Sequence, residues 1–100
     1  MTQTERIAYF EEILDRSAAA SARLDAALEA FAALRPLVRE LDAYYGGEDW
    51  RRDLADDEAG RLPADLKRGV LSEDAAWDAL AEDRRLLARM LEIVADSLRG

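Results

Sequence analysis

Residues 3–45 read QTERIAYFEEILDRSAAASARLDAALEAFAALRPLVRELDAYY, and the spacing of their apolar side chains decides the fold. Ile7, Phe10, Leu14, Ala18, Ser21, Leu24, Leu28, Phe31, Leu34, Val38, Leu41 and Tyr45 follow one another at steps of three or four. That is the period of an α-helix; a half-buried strand would alternate every second residue. Thr2, three residues before Glu5, forms the sequence of a capping box, in which each side chain satisfies an orphan amide of the first turn. Gly46-Gly47 supplies the stop, because glycine takes the left-handed conformation without steric penalty. Pro36 interrupts the run: it lacks an amide hydrogen and disfavours helical geometry at Arg35. The apolar phase continues across it, so the spacing predicts a kink or a tight joint and not a loop.

Working outward, the other end of the chain repeats the pattern. Ser72 is a good N-cap, and Glu73 and Asp74 place negative charge in the first turn, where the helix dipole favours it. Trp77, Leu80, Leu87, Leu91, Val94 and Leu98 then form a stripe, flanked by Ala76, Met90 and Ile93 and interrupted by Arg84. Between the two long segments lies a glycine-rich stretch, 46–71. Short helical turns are expected near Glu48–Ala59 and Asp65–Arg68, with Gly60 and Gly69 as terminators and Arg61-Leu62-Pro63 extended. The predicted architecture is all-α and a single helical domain over 1–100. A long, Pro36-kinked helix 3–45 packs antiparallel on a C-terminal helix 73–98, with short capping helices within 48–68. At 1.5 Å per residue the first segment is roughly 20 Å longer than the third, which leaves part of its stripe uncovered and points to a homodimer. The small-residue run Ser17–Ala22 permits close helix approach there.

Composition agrees and narrows function. Of the 100 residues, 20 are alanine, and 13 of the 14 basic residues are arginine, with Lys67 the one lysine. Ala, Leu and Arg are the strongest helix formers, whereas Thr occurs only at Thr2 and Thr4. The chain has no cysteine and no histidine. This removes disulfides, thiolate metal sites, thiol nucleophiles and the usual general base. Ser17, Ser21, Ser72 and Ser97 therefore have no histidine to activate them. The net charge of −8 is spread evenly, without a basic face, which disfavours nucleic acid and anionic membranes as partners. The first fourteen residues carry Glu5, Arg6, Glu11 and Glu12, so they do not read as a leader peptide, and nothing approaches a membrane span. A cytoplasmic location is expected. No catalytic residue, metal site or cofactor is predicted.

The richest candidate surface is Tyr44-Tyr45-Gly46-Gly47-Glu48-Asp49-Trp50-Arg51-Arg52-Asp53, which gathers three of the seven aromatics and two adjacent arginines at a turn. Arginines and aromatics anchor many binding surfaces. The same residues equally suit a structural plug, with the arginines paired to Glu48, Asp49 and Asp53. Asp53, Asp56, Asp57 and Glu58 offer oxygen ligands for a hard cation, but their spacing is not that of a calcium loop, and a solvated helix face is the plainer reading. Lys67 and Arg68 could meet an anion, or could simply suit the end of a short helix. The candidate binding residues are thus Tyr45, Trp50, Arg51, Arg52, Asp53, Lys67 and Arg68.

Two patterns together carry a resemblance: Tyr44-Tyr45-Gly46 with Trp50-Arg51 and Asp53, and the ordered block Asp57-Glu58-Ala59-Gly60, Leu62-Pro63, Asp65-Leu66-Lys67-Arg68-Gly69-Val70-Leu71-Ser72-Glu73-Asp74. With Glu5-Arg6-Ile7 and Glu11-Glu12-Ile13-Leu14, they span nearly the whole chain. The sequence resembles domain-of-unknown-function family 4298, short stand-alone bacterial proteins of about this length. The resemblance implies a fold and directs attention to the middle block, but it implies no activity. Two functions remain open from sequence. One is a non-catalytic protein–protein interaction module or adaptor with an unidentified protein partner. The alternative is a small-ligand or metal-binding protein using the middle segment.

Overall fold

Leu34 is the first residue to break the helix predicted over 3–45. The computed structural model describes all 100 residues and contains four α-helices and one short 3-10 turn, with no strand. Helix α1 spans Gln3–Ala33 and α2 spans Arg35–Tyr44, so the single residue Leu34 is the tight joint that the unbroken apolar phase implied. Pro36 lies in the first turn of α2, where its missing amide hydrogen has no intrahelical partner to lose. The joint satisfies its own polar groups. The Leu34 amide reaches the carbonyls of Ala30 and Phe31 at 3.3 Å, and Arg35 Nε donates to the Phe31 carbonyl. The Arg35 guanidinium also sits 4.0 Å above the Phe31 ring, a cation–π contact that pins the side chain. At the other end of α1 the capping box is complete, with Thr2 and Glu5 each accepting from the other's amide.

The chain divides into two compact units, Met1–Pro36 and Leu37–Gly100. The first is essentially α1. It has no buried residue, and Phe10 and Leu14 on its apolar stripe are 58% and 61% exposed.

The second unit holds α2, α3 (Glu48–Glu58), the 3-10 turn (Gly69–Leu71) and α4 (Glu73–Arg99). The antiparallel packing expected on the C-terminal helix is not seen as helix on helix: α4 packs against the 3-10 turn, and only side chains from the end of α2 reach it. The Tyr45 hydroxyl, just past the end of α2, donates to the Glu73 carbonyl at 3.1 Å, at the start of α4. Earlier on α2, Asp42 faces Arg84, further along α4, at 3.8 Å. The turn from α2 into α3 uses two glycines for two reasons. Gly46 has φ +77°, and a Cβ on Gly47 would meet the carbonyl oxygens of Ala43 and Tyr44 at 3.0 and 3.2 Å. Leu71, Ala76 and Leu80 are the buried apolar residues, and the 3-10 turn packs against both α3 and α4.

One local expectation changes. Asp65–Arg68 is not a helical turn; the helical turn follows it, at Gly69–Leu71, so Gly69 opens this turn where it was expected to end one. Pro63 and Leu66 close a tight turn at 3.2 Å, and the Arg68 guanidinium takes the carbonyls of Pro63 and Ala64. Those are carbonyls that a helix would have offered to later amides. Ser72 then caps α4 as expected: its Oγ accepts from the Ala75 amide and donates to the Gly69 carbonyl. No helix is long and apolar enough to cross a membrane.

Candidate functional site

The middle segment, where the candidate residues cluster, is built by side chains that reach between elements. Trp50, on the first turn of α3, donates from Nε1 to the Val70 carbonyl at 3.0 Å. Its ring meets Tyr45 edge-on, with centroids 5.2 Å apart. Tyr45 in turn holds the start of α4 through Glu73. These two aromatics therefore clamp α3, the 3-10 turn and α4 together. Their polar atoms are already bonded to the backbone, which is the structural use that the sequence also allowed for.

Asp53 faces the other way, toward α2. The Tyr44 hydroxyl donates to Asp53 Oδ2 at 2.6 Å. This bond to a carboxylate is the main reason that the Tyr44 pKa is pushed up from 10.0 to about 12; desolvation and the charges of Asp53 and Asp49 add to it. One turn further along α3, Asp57 accepts from Arg68 at 2.6 Å, in an ion pair of which both members are partly buried. Asp56 pairs with Arg61 at 3.2 Å at the surface. The acids of α3 are thus distributed to separate partners, and no three acidic side chains converge on a point that could hold a metal ion.

Tyr44, Asp53, Leu62, Leu66, Lys67, Arg68, Val70 and Leu71 line a shallow cavity of about 250 Å³. That is below the ~300–1,000 Å³ of ordinary small-molecule sites. The structure brings Asp53, Lys67 and Arg68 to this one cavity and leaves Tyr45 and Trp50 outside its lining. Arg51 and Arg52 are exposed on α3, and Arg52 pairs locally with Asp49 at 3.4 Å. Tyr44 and Asp57, which are not among the candidate binding residues, join Asp53 and Arg68 here. The signal for Tyr44 was its place beside the double-glycine turn, which folds α3 back so that residues nine apart in sequence can meet.

A second surface lies along α4. Trp77, Leu87, Leu91, Ile93, Val94 and Leu98 are all exposed, with Leu91 at 71% and Leu98 at 83%. Ala76 and Leu80 are covered at the start of α4, and Leu87, Leu91, Val94 and Leu98 continue the same face along the helix without cover. Leu87, Leu91, Val94 and Leu98 thus stand together on one face, whereas single exposed apolar residues are ordinarily scattered.

A family model described as "Domain of unknown function (DUF4298)" matches residues 7–93. No curated protein and no solved structure matches the chain.

Proposed function

Since the chain belongs to that family of unknown function, whose description assigns no activity, we propose a function from the geometry: a non-catalytic protein–protein interaction module. The observation that carries this reading is the open apolar stripe of α4, Trp77, Leu87, Leu91, Val94 and Leu98. A partner's amphipathic helix laid on that stripe would bury side chains that otherwise stand in water, each worth roughly 1.5–3 kcal/mol when fully covered. The absence of histidine and cysteine supports the non-catalytic part. The small-ligand reading has weaker support, because Tyr45, Trp50, Asp53 and Arg68 already bond to the chain itself.

The test is affinity capture from the source cells, followed by calorimetric titration of any stoichiometric protein with the purified chain. Wild type is compared with Leu91→Glu/Val94→Glu and with Arg51→Ala/Arg52→Ala. A direct complex is expected for wild type and lost in the α4 variant; loss in the arginine variant extends the surface to α3. A thermal shift with a metal or anion panel, with no protein complex in any form, would replace this reading by the ligand alternative.

A further inference from the structure

Within α1 a strict repeat emerges once the small residues are counted. Ile7, Phe10, Leu14, Ser17, Ser21, Leu24, Leu28 and Phe31 follow at alternating steps of three and four over the whole helix. An ordinary helix facing a globular core keeps a 3.6-residue period, whereas a seven-residue repeat held this long is the seam of a left-handed supercoil. We propose that α1 pairs with α1 of a second copy of this chain, as a parallel, in-register two-stranded coil. This rests on the interaction reading above and names the partner of one of its faces.

Area is the first argument. The exposed fractions of Ile7, Phe10, Leu14, Leu24 and Leu28, with the small residues between them, present roughly 800 Å² per helix, the size of one side of a standard stable interface.

Charge is the second, and it selects both the partner and its direction. Bordering the seam are Glu11 and Asp25 on one flank and Arg6 on the other; Asp15 and Glu29, and Arg16 and Arg23, stand one position further out on the same two sides. Two such helices run in parallel place the basic flank of each against the acidic flank of the other. Arg6 then meets Glu11 of the partner subunit, the pairing that sets orientation in coiled coils. Run antiparallel about the middle of the helix, the acidic flanks face each other and Glu11 meets Asp25 of the partner subunit. Like charges there oppose association. The run Ser17–Ala22 adds a narrow waist, at which two in-register copies can approach closely.

The test is sedimentation equilibrium of the full chain over a range of concentrations. The expected mass is twice the 11.2 kDa of one chain. Leu14→Glu/Leu24→Glu is expected to weaken association about 100-fold or more, because it places charge in the seam. The same variant should keep the near-ultraviolet signal of Trp50 and Trp77, which report the second unit. Direction is read by Gln3→Cys, the only thiol in that variant. In a glutathione buffer it should form a disulfide-linked dimer, since parallel helices bring the two thiols together and antiparallel ones separate them by roughly 45 Å. A monomer at every concentration, or a dimer untouched by Leu14→Glu/Leu24→Glu, overturns the proposal. A dimer that Gln3→Cys fails to cross-link overturns the parallel register. Capture that depends on Leu91 and Val94 is scored independently, so a monomeric chain that still binds its partner sinks this inference and leaves the interaction reading standing.

Discussion

Leu71 is one of the three buried apolar residues of the second unit, and Leu71→Ala measures what its burial contributes. Its side chain is 6% exposed within the 3-10 turn that packs against α3 and α4. Truncation to alanine removes about three methylene equivalents, or about 2.4 kcal/mol of transfer free energy at about 0.8 kcal/mol each. The cavity left behind adds to this, because neighbours relax only partly. The Trp50 bond to the adjacent Val70 carbonyl restrains such relaxation. A loss of about 3 kcal/mol follows, within the ~2–5 range for buried leucines. For a unit of this size that corresponds to a fall in Tm of about 12–24 °C. The assay is urea unfolding followed by tryptophan fluorescence, since both tryptophans lie in this unit, at one fixed protein concentration so that association does not shift the baseline. The control is Leu66→Ala, the same chemical change five residues away at a side chain 47% exposed. It is expected to lose no more than about 1 kcal/mol. Equal midpoints for the two variants would refute the assignment of Leu71 to the core.

Three further outcomes are expected. Tyr44 should titrate late in an alkaline absorbance titration at 295 nm, near pH 12, and the late step should vanish in Tyr44→Phe. Because its folded pKa is raised, the stability linked to its bond with Asp53 is fully present below pH 10 and is lost as pH rises to about 12; Asp53→Asn should flatten that alkaline loss in denaturation midpoints taken across the window. Arg68→Lys should destabilise the second unit by about 1–2 kcal/mol in urea unfolding, because an ammonium cannot bridge Asp57 and the carbonyls of Pro63 and Ala64 together; an unchanged midpoint would mean that the bridge contributes nothing. Ser72→Ala should cost about 1 kcal/mol through loss of the α4 cap, read as a lower urea midpoint, with Ser72→Asp restoring most of it.

The sequence by itself determined the elements and their ends. Apolar steps of three and four, the Thr2–Glu5 box, the Gly46-Gly47 stop and the Ser72 cap are interactions within a few residues of one another, so spacing along the chain is enough to state them. Even the break near Pro36 follows from one missing amide hydrogen. Tertiary structure alone decided which polar groups found one another. Tyr44 with Asp53, Asp57 with Arg68, and Trp50 with the Val70 carbonyl join residues nine to twenty apart. Tyr44 meets Asp53 through the double-glycine turn that folds α3 back, and the other two pairs depend on the path of the connection between α3 and the 3-10 turn, which no local pattern encodes. The helical turn stands at Gly69–Leu71 and not at Asp65–Arg68, where the Arg68 guanidinium takes the Pro63 and Ala64 carbonyls. The candidate surface divided accordingly. Tyr45, Trp50, Asp53 and Arg68 became joints of the fold, while the stripe on α4, read from sequence as core, stands open to solvent beyond Leu80. Hydrophobic periodicity specifies that a face must be covered, but it does not say whether the cover comes from the same chain or from another, because burial of apolar area is non-directional.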